Sequence, residues 1–190
     1  MQPHYYLIET NKMKRLTLIL TILFSAGCLL ATSAAQKKNK EKVTTSSEKA
    51  LVVYFSATGN TTRLAKQLAE QHHADIYRII PATKYSQADL DWHNSKSRSS
   101  IEMANDKARP NMKGNVKHAE KYDTIYLGYP IWWGVAPRII NTFIDANPGL
   151  KGKTIIPFAT SGSSTIDKSV EDLRATYPNL TIKDGIKITH

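Results

Sequence analysis

The sequence predicts an α/β fold: a doubly wound, five-stranded parallel sheet with helices on both faces. Three observations carry this expectation. The apolar run 51–55 enters a Ser/Thr/Gly/Asn turn and then a helical pattern without a break. From Ala50 onward short apolar runs alternate with helical patterns, as a parallel sheet covered on both sides requires. Polar or aromatic loops follow three of those runs, at 56–62, 130–134 and 160–164.

Taken in order, the first strand covers 51–55. The helix after it carries Leu64, Ala65, Leu68 and Ala69 on one face and Arg63, Lys66, Gln67 and Glu70 on the other. His72 and His73 fall at its C-terminus. The second strand is expected at 75–80, ended by Pro81. Residues 82–117 are long, polar and irregular. The run Asp89, Leu90, Asp91, Trp92 opens a short helical piece, and 97–105, with Ile101 and Met103, forms another. Arg109, Pro110 and Gly114 break the pattern. Trp92 reads as a packing anchor, and Arg98 and Arg109 as solvated surface with anion recognition as the alternative. The third strand covers 124–128. The helix at 135–146 buries Val135, Ala136, Ile139, Ile140, Phe143 and Ile144, with Pro137 in its first turn. The fourth strand is at 154–159, the next helix bears Ile166, Val170 and Leu173, and the fifth strand covers 181–188.

The loop at 56–62 suits an anion. A helix N-terminus offers unpaired N–H groups and a partial positive charge. The loop adds the hydroxyls of Ser56, Thr58, Thr61 and Thr62, with Gly59 and Asn60, and contains neither Lys nor Arg. A nucleoside triphosphate loop ends in Gly-Lys-Ser/Thr, and a dinucleotide loop reads Gly-x-Gly-x-x-Gly. Neither pattern is present, nor is the Cys nucleophile with Arg of a phosphatase. Neutral donors suit one terminal phosphate; the competing reading is a Ser/Thr-rich helix cap with no ligand.

The pattern Ser56-x-Thr58-Gly59-Asn60-Thr61 after an apolar strand resembles the phosphate loop of the flavodoxins, and the resemblance covers about residues 50–188. It implies an FMN cofactor. Ser56, Ala57, Thr58, Gly59, Asn60 and Thr61 would hold its phosphate. Pro130, Ile131, Trp132, Trp133 and Gly134 would meet the ring face, with at least one Trp stacked and the other free to pack. Thr160, Ser161, Gly162 and Ser163 would bond the ring edge. No residue is required as acid, base, nucleophile or metal ligand. Residues 82–117 resemble an insertion of one branch of flavodoxin-like proteins. Two features depart from the family: its usual last helix is missing before His190, and its usual acidic surface is replaced by a mildly basic one. The expected function is electron transfer with a redox partner protein. The alternatives are an FMN-dependent NAD(P)H or quinone reductase, and a flavin-free interaction module.

Charge and composition narrow the rest. The net charge is +10, of which residues 1–49 supply half. No basic stripe interleaved with aromatics occurs, which argues against nucleic acid. Cys28 is the one cysteine, so no intrachain disulfide forms. The six histidines are scattered without ligand spacing. Met13, Lys14 and Arg15 begin a basic segment followed by the mostly apolar run 16–31 and small residues to Ala35. This predicts a secretory signal within 1–35, with Met13 as the start. Cleavage after Ala35 and lipidation of Cys28, in Ser25-Ala26-Gly27-Cys28, are the two exits. Residues 36–49 are charge, amide and hydroxyl, and predict a disordered tether to the domain at 50–190. The protein is expected to be exported, either periplasmic or anchored at the outer side of the inner membrane, with its basic tether able to rest on lipid.

Overall fold

The computed structural model describes residues 49–189. The expected signal segment, the start at Met13, lipidation at Cys28 and all but the last residue of the tether lie outside the described residues.

Five strand positions form one parallel sheet. β1 (Ala50–Tyr54) lies between β2 (Asp75–Arg78) and β5 (Thr124–Pro130), and β6 (Thr154–Ser161) follows β5. The fifth position is shared by β7 (Thr181–Ile182) and β8 (Ile186–Thr189), both paired to β6. The pleat sends alternate residues to opposite faces. Leu51, Val53, Phe55, Ile125, Leu127 and Tyr129 join the helices α3 (Arg138–Asp145) and α4 (Asp167–Thr176) on one side. Val52, Tyr54, Tyr126 and Phe158 meet Leu64, Ala65 and Leu68 of α1 (Asn60–Gln71) on the other. Both faces are buried, so the strand runs read as continuously apolar. The second face has α1 alone among the described helices, and Ile156 and Ile186 stay half-buried beside it.

Two strands run past their expected ends. β5 reaches Pro130 and β6 reaches Ser161, with Pro130 opposite Thr160. The polar loops therefore leave directly from the ladder. α3 begins at Arg138, three residues later than expected. Pro137 is its extended N-cap rather than part of its first turn, and because a proline disfavours helical backbone in the residue before it, Ala136 cannot start the helix earlier.

The second strand also differs from expectation. Its sheet pairing ends at Arg78. Ile79 donates its N–H to the Tyr54 carbonyl (2.8 Å), and β3 (Ile80–Pro81) then leaves the sheet to pair antiparallel with β4 (Met112–Lys113). Between them lie a 3-10 turn at Ala88–Leu90 and α2 (Arg98–Ala104), capped by the Ser97 side chain. Polar contacts hold this insertion. Tyr85 donates to Glu102, which also pairs with Arg98 at 2.6 Å. Arg109 pairs with Asp145 at 2.5 Å, and buried Arg138 pairs with Asp106. Arg98 and Arg109 are thus paired rather than solvated and free for an anion. Trp92 is 66% exposed, so it does not anchor packing as its apolar bulk suggested.

The break in the fifth strand has a local cause. Lys183 donates to the Ile155 carbonyl (2.8 Å), so the backbone groups of Ile155, and by alternation those of Pro157, face the fifth strand. Pro157 has no N–H to give there. From Ile182 to Ile186 the fifth strand takes one residue more than β6 takes from Ile155 to Phe158. The extra residue is absorbed as a bulge opposite the proline.

Tyr129 is fully buried and accepts a hydrogen bond from Ser169 (2.9 Å). Burial pushes its phenol up to about 12. A phenol raised in the folded state stabilises fully below its unfolded value, near pH ~10, and that contribution disappears as pH climbs through the folded value. Urea unfolding from pH 9 upward should show stability falling between pH ~10 and about 12. Tyr129→Phe should make that fall shallower, and an unchanged slope would remove Tyr129 as a cause. No helix among the described residues is long and apolar enough to cross a membrane.

Candidate functional site

All three predicted loops leave the carboxyl edge of the sheet, from β1, β5 and β6. In the first, the Gly59 N–H donates to Ser56 Oγ (3.1 Å), and Gly59 sits at φ +102°, a region open mainly to glycine. That bend starts α1. Gly59 is its N-cap, no side chain caps the helix, and its first turn holds no acidic residue. The hydroxyls are therefore not spent on capping. The N–H groups of Asn60, Thr61 and Thr62 have no partner within the helix, leaving a seat for an anion.

Thr160 ties the loops together. Its Oγ1 lies 2.9 Å from Thr61 Oγ1, with both residues buried. Its carbonyl accepts from the Ile131 N–H (3.0 Å). The second loop then reverses tightly: Trp132 and Val135 exchange N–H to carbonyl bonds of 3.0 Å. Trp133 and Gly134 between them sit at φ +49° and +82°, the signature of a type I′ turn. The turn separates the two indoles. Trp132 packs edge-on against Phe55 (5.7 Å) and Tyr85 (5.4 Å), whereas Trp133 remains 48% exposed. A tryptophan at positive φ is uncommon and costs backbone energy, and such strain gathers at functional sites.

Two adjoining cavities occupy this edge. One, about 400 Å³, is lined by Thr58, Asn60, Arg63 and Pro130 together with Ile131, Trp132, Thr160, Ser161 and Gly162. The other, about 350 Å³, shares Ile131, Trp132, Ser161 and Gly162 and adds Trp133, Ser163 and Ser164. Its outer wall comes from the insertion, through Leu90, Trp92 and Ser99. The remaining expected residues fall around these spaces. Gly59 forms the bend and Thr61 lies buried behind the loop. Gly134 faces the Lys168 side chain, and Ser56 and Ala57 open onto a different cavity.

Sequence reasoning missed Arg63, read as the solvent face of α1, and Leu90, Trp92 and Ser99, while Ser164 ends the expected third loop. The signal for Arg63 was its position within the first turn of the helix. Arg63 is the one ionisable side chain lining either cavity. Such an edge can bind, orient and shield a ligand but offers it no proton donor or acceptor of ordinary pKa.

Comparison with known proteins gives the relationship. The flavodoxin family matches residues 49–190. A Bacteroides eggerthii protein, described as a candidate flavoprotein, is 51% identical with a TM-score of 0.73, over 75% of this chain and 89% of that one. A Bacteroides uniformis protein of the same description gives 51%, 0.73, 75% and 90%. A Lactobacillus acidophilus flavoprotein solved in complex with FMN shares the fold at 19% identity and TM-score 0.61, over 74% of this chain and 93% of that one. No curated protein matches. With strand order, loop placement and the match over 49–190 in agreement, the chain belongs to the flavodoxin family.

Proposed function

We propose that this flavodoxin binds FMN at the carboxyl edge of its sheet and serves as an electron carrier. The observation that carries the reading is Thr160, which joins all three loops around the two adjoining cavities beside an uncapped helix N-terminus. The residues present fit the cofactor. The free first-turn N–H groups and the Thr58 hydroxyl suit a phosphate, with Arg63 supplying charge. Ile131, Trp132 and Trp133 suit the face of a flat ring, and the hydroxyls and N–H groups of 161–163 suit its polar edge. The volumes lie in the range of cofactor sites. Thr61 positions the loops through its bond to Thr160, and its hydroxyl keeps capacity for a phosphate oxygen.

Bound flavin supplies electron transfer in single or paired steps, and the protein binds, orients and shields it. The absence of an acid or base among the lining residues of both cavities favours carriage over chemistry that moves protons through the protein. The cavity between Trp92 and Trp133 supports the second reading, a reductase of NAD(P)H or a quinone, because it leaves room beside the ring seat.

Titration with FMN should give one flavin per chain, with quenched flavin and tryptophan fluorescence. A protein that ignores FMN would instead be a flavin-free interaction module. Stopped-flow mixing of the loaded protein with NADPH separates the other two readings: slow bleaching supports the carrier, fast direct bleaching the reductase. Export is proposed from the basic start and apolar run of residues 13–35. Mass spectrometry of the native protein should find either a mature N-terminus after Ala35 or a lipid on Cys28.

A further inference from the structure

A third cavity, about 350 Å³, lies where β1 and β2 give way to the insertion, and it shares no lining residue with the two described above. Trp132 separates them, since its ring packs edge-on against Phe55 and Tyr85, which form part of this third cavity. Three cations line it, Arg78, Lys84 and Lys113, and no Asp or Glu does. The antiparallel pairing of β3 with β4 sets Lys113 opposite Ile80, so two distant stretches of chain deliver charge to one hollow.

The cations are not committed elsewhere. Among the described residues neither Lys84 nor Lys113 has an ion pair or a side-chain hydrogen bond. Arg78 makes one long bond, from Nη2 to the Ser56 carbonyl (3.3 Å), which leaves most of its donors available. The nearby carboxylates are already engaged: Glu102 with Arg98 and Tyr85, and Asp89 with Ser86. The rest of the lining is mostly apolar. Ile80 is 47% exposed, Ala57, Pro81 and the rings of Phe55 and Tyr85 adjoin it, and Ser56 is the one further polar residue.

We propose that this cavity is a second ligand site, for a small phosphate monoester carried on a flat apolar body. A phosphate monoester brings about two negative charges and three acceptor oxygens, which the arginine fork and two ammonium groups together can meet. A solvated anion alone would need no apolar lining, and a cavity of this volume admits a small molecule rather than a protein surface. Its three cations lie outside the residues expected for FMN, of which only Ser56 and Ala57 border it, so each reading can fail alone.

The test uses the full-length protein saturated with FMN and adenosine monophosphate as the probe, followed by amide NMR shifts. The expected result is saturable shifts at Arg78, Ile80, Lys84 and Lys113, at most small shifts at 58–63, and at least tenfold weaker binding of inorganic phosphate. Lys84→Glu with Lys113→Glu should weaken the probe tenfold or more while FMN binding and the melting temperature hold. Lys113→Arg should retain the probe. If the protein takes no FMN, the same titration is run without it and read at the same two sets of amides. No saturable shift at millimolar probe, shifts confined to 58–63, inorganic phosphate binding as well as the probe, or equal binding by the charge-reversed protein would each overturn the proposal. If the double variant unfolds, each lysine is changed alone to Met, and undiminished probe binding in both overturns it.

Discussion

Replacing Gly128 by alanine lowers stability by about 3 kcal/mol, at the upper end of overpacking costs in buried cores. Gly128 sits in β5 directly opposite Phe158 of β6. A Cβ built on it would lie 2.1 Å from Phe158 Cζ and 2.4 Å from Cε2, so the phenyl ring occupies the space a side chain would need. Phe158 is fully buried and has nowhere to retreat, because Tyr54, Leu64 and Tyr126 crowd the same side. For a domain of this size the loss corresponds to a melting temperature lower by about 10 °C. Phe158→Leu alone opens a void and also destabilises. Combined with Gly128→Ala it should recover part of the loss, and the two costs should not add. Chemical denaturation of the wild type and three variants measures this, and additive costs would show that the ring and the glycine are independent.

The second large effect falls on the cofactor. Gly59→Val should weaken FMN binding on the order of 100-fold, equivalent to about 2.7 kcal/mol, and lower stability by about 2 kcal/mol. No atom lies within 4 Å of a Cβ built at Gly59. The penalty is therefore not a collision with a neighbour. It comes from φ +102°, which a β-branched residue does not tolerate. Relief requires the loop to flip, and the flip turns the N–H groups of Asn60 and Thr61 away from the anion seat. Isothermal titration with FMN reads the first effect and urea unfolding the second. Wild-type affinity in a folded Gly59→Val protein would place the phosphate elsewhere.

Much of this architecture was legible because it is local. An apolar run, a Gly-containing turn and an amphipathic helix reveal β1 and α1, whose contacts lie close along the chain. The polar stretches 56–62, 130–134 and 160–164 do lie at strand ends because each follows such a run, but 60–62 open α1, Pro130 ends β5 and Thr160 and Ser161 end β6. Features set by distant partners were not legible. Ile80 and Pro81 read as the end of a strand, but their pairing with Met112 and Lys113 crosses the whole insertion. Trp92 read as core by its size; only the placement of the insertion shows that it stands at the mouth of a cavity. Arg63 read as solvent face because helical periodicity assigns a face and is silent about what lies beyond the helix end. The break opposite Pro157 had a visible cause in the sequence, but its position depends on which way that residue's backbone turns.

That break also bears on how copies of the protein meet. A straight, unpaired border strand invites another chain to add its own strand. Here one border, β2, is four residues long and mostly exposed, with charged Asp75 and Arg78 at its ends. The opposite border is interrupted at 183–185. Neither side presents a long, regular row of backbone groups, so the domain should stay unpolymerised through its sheet at high concentration.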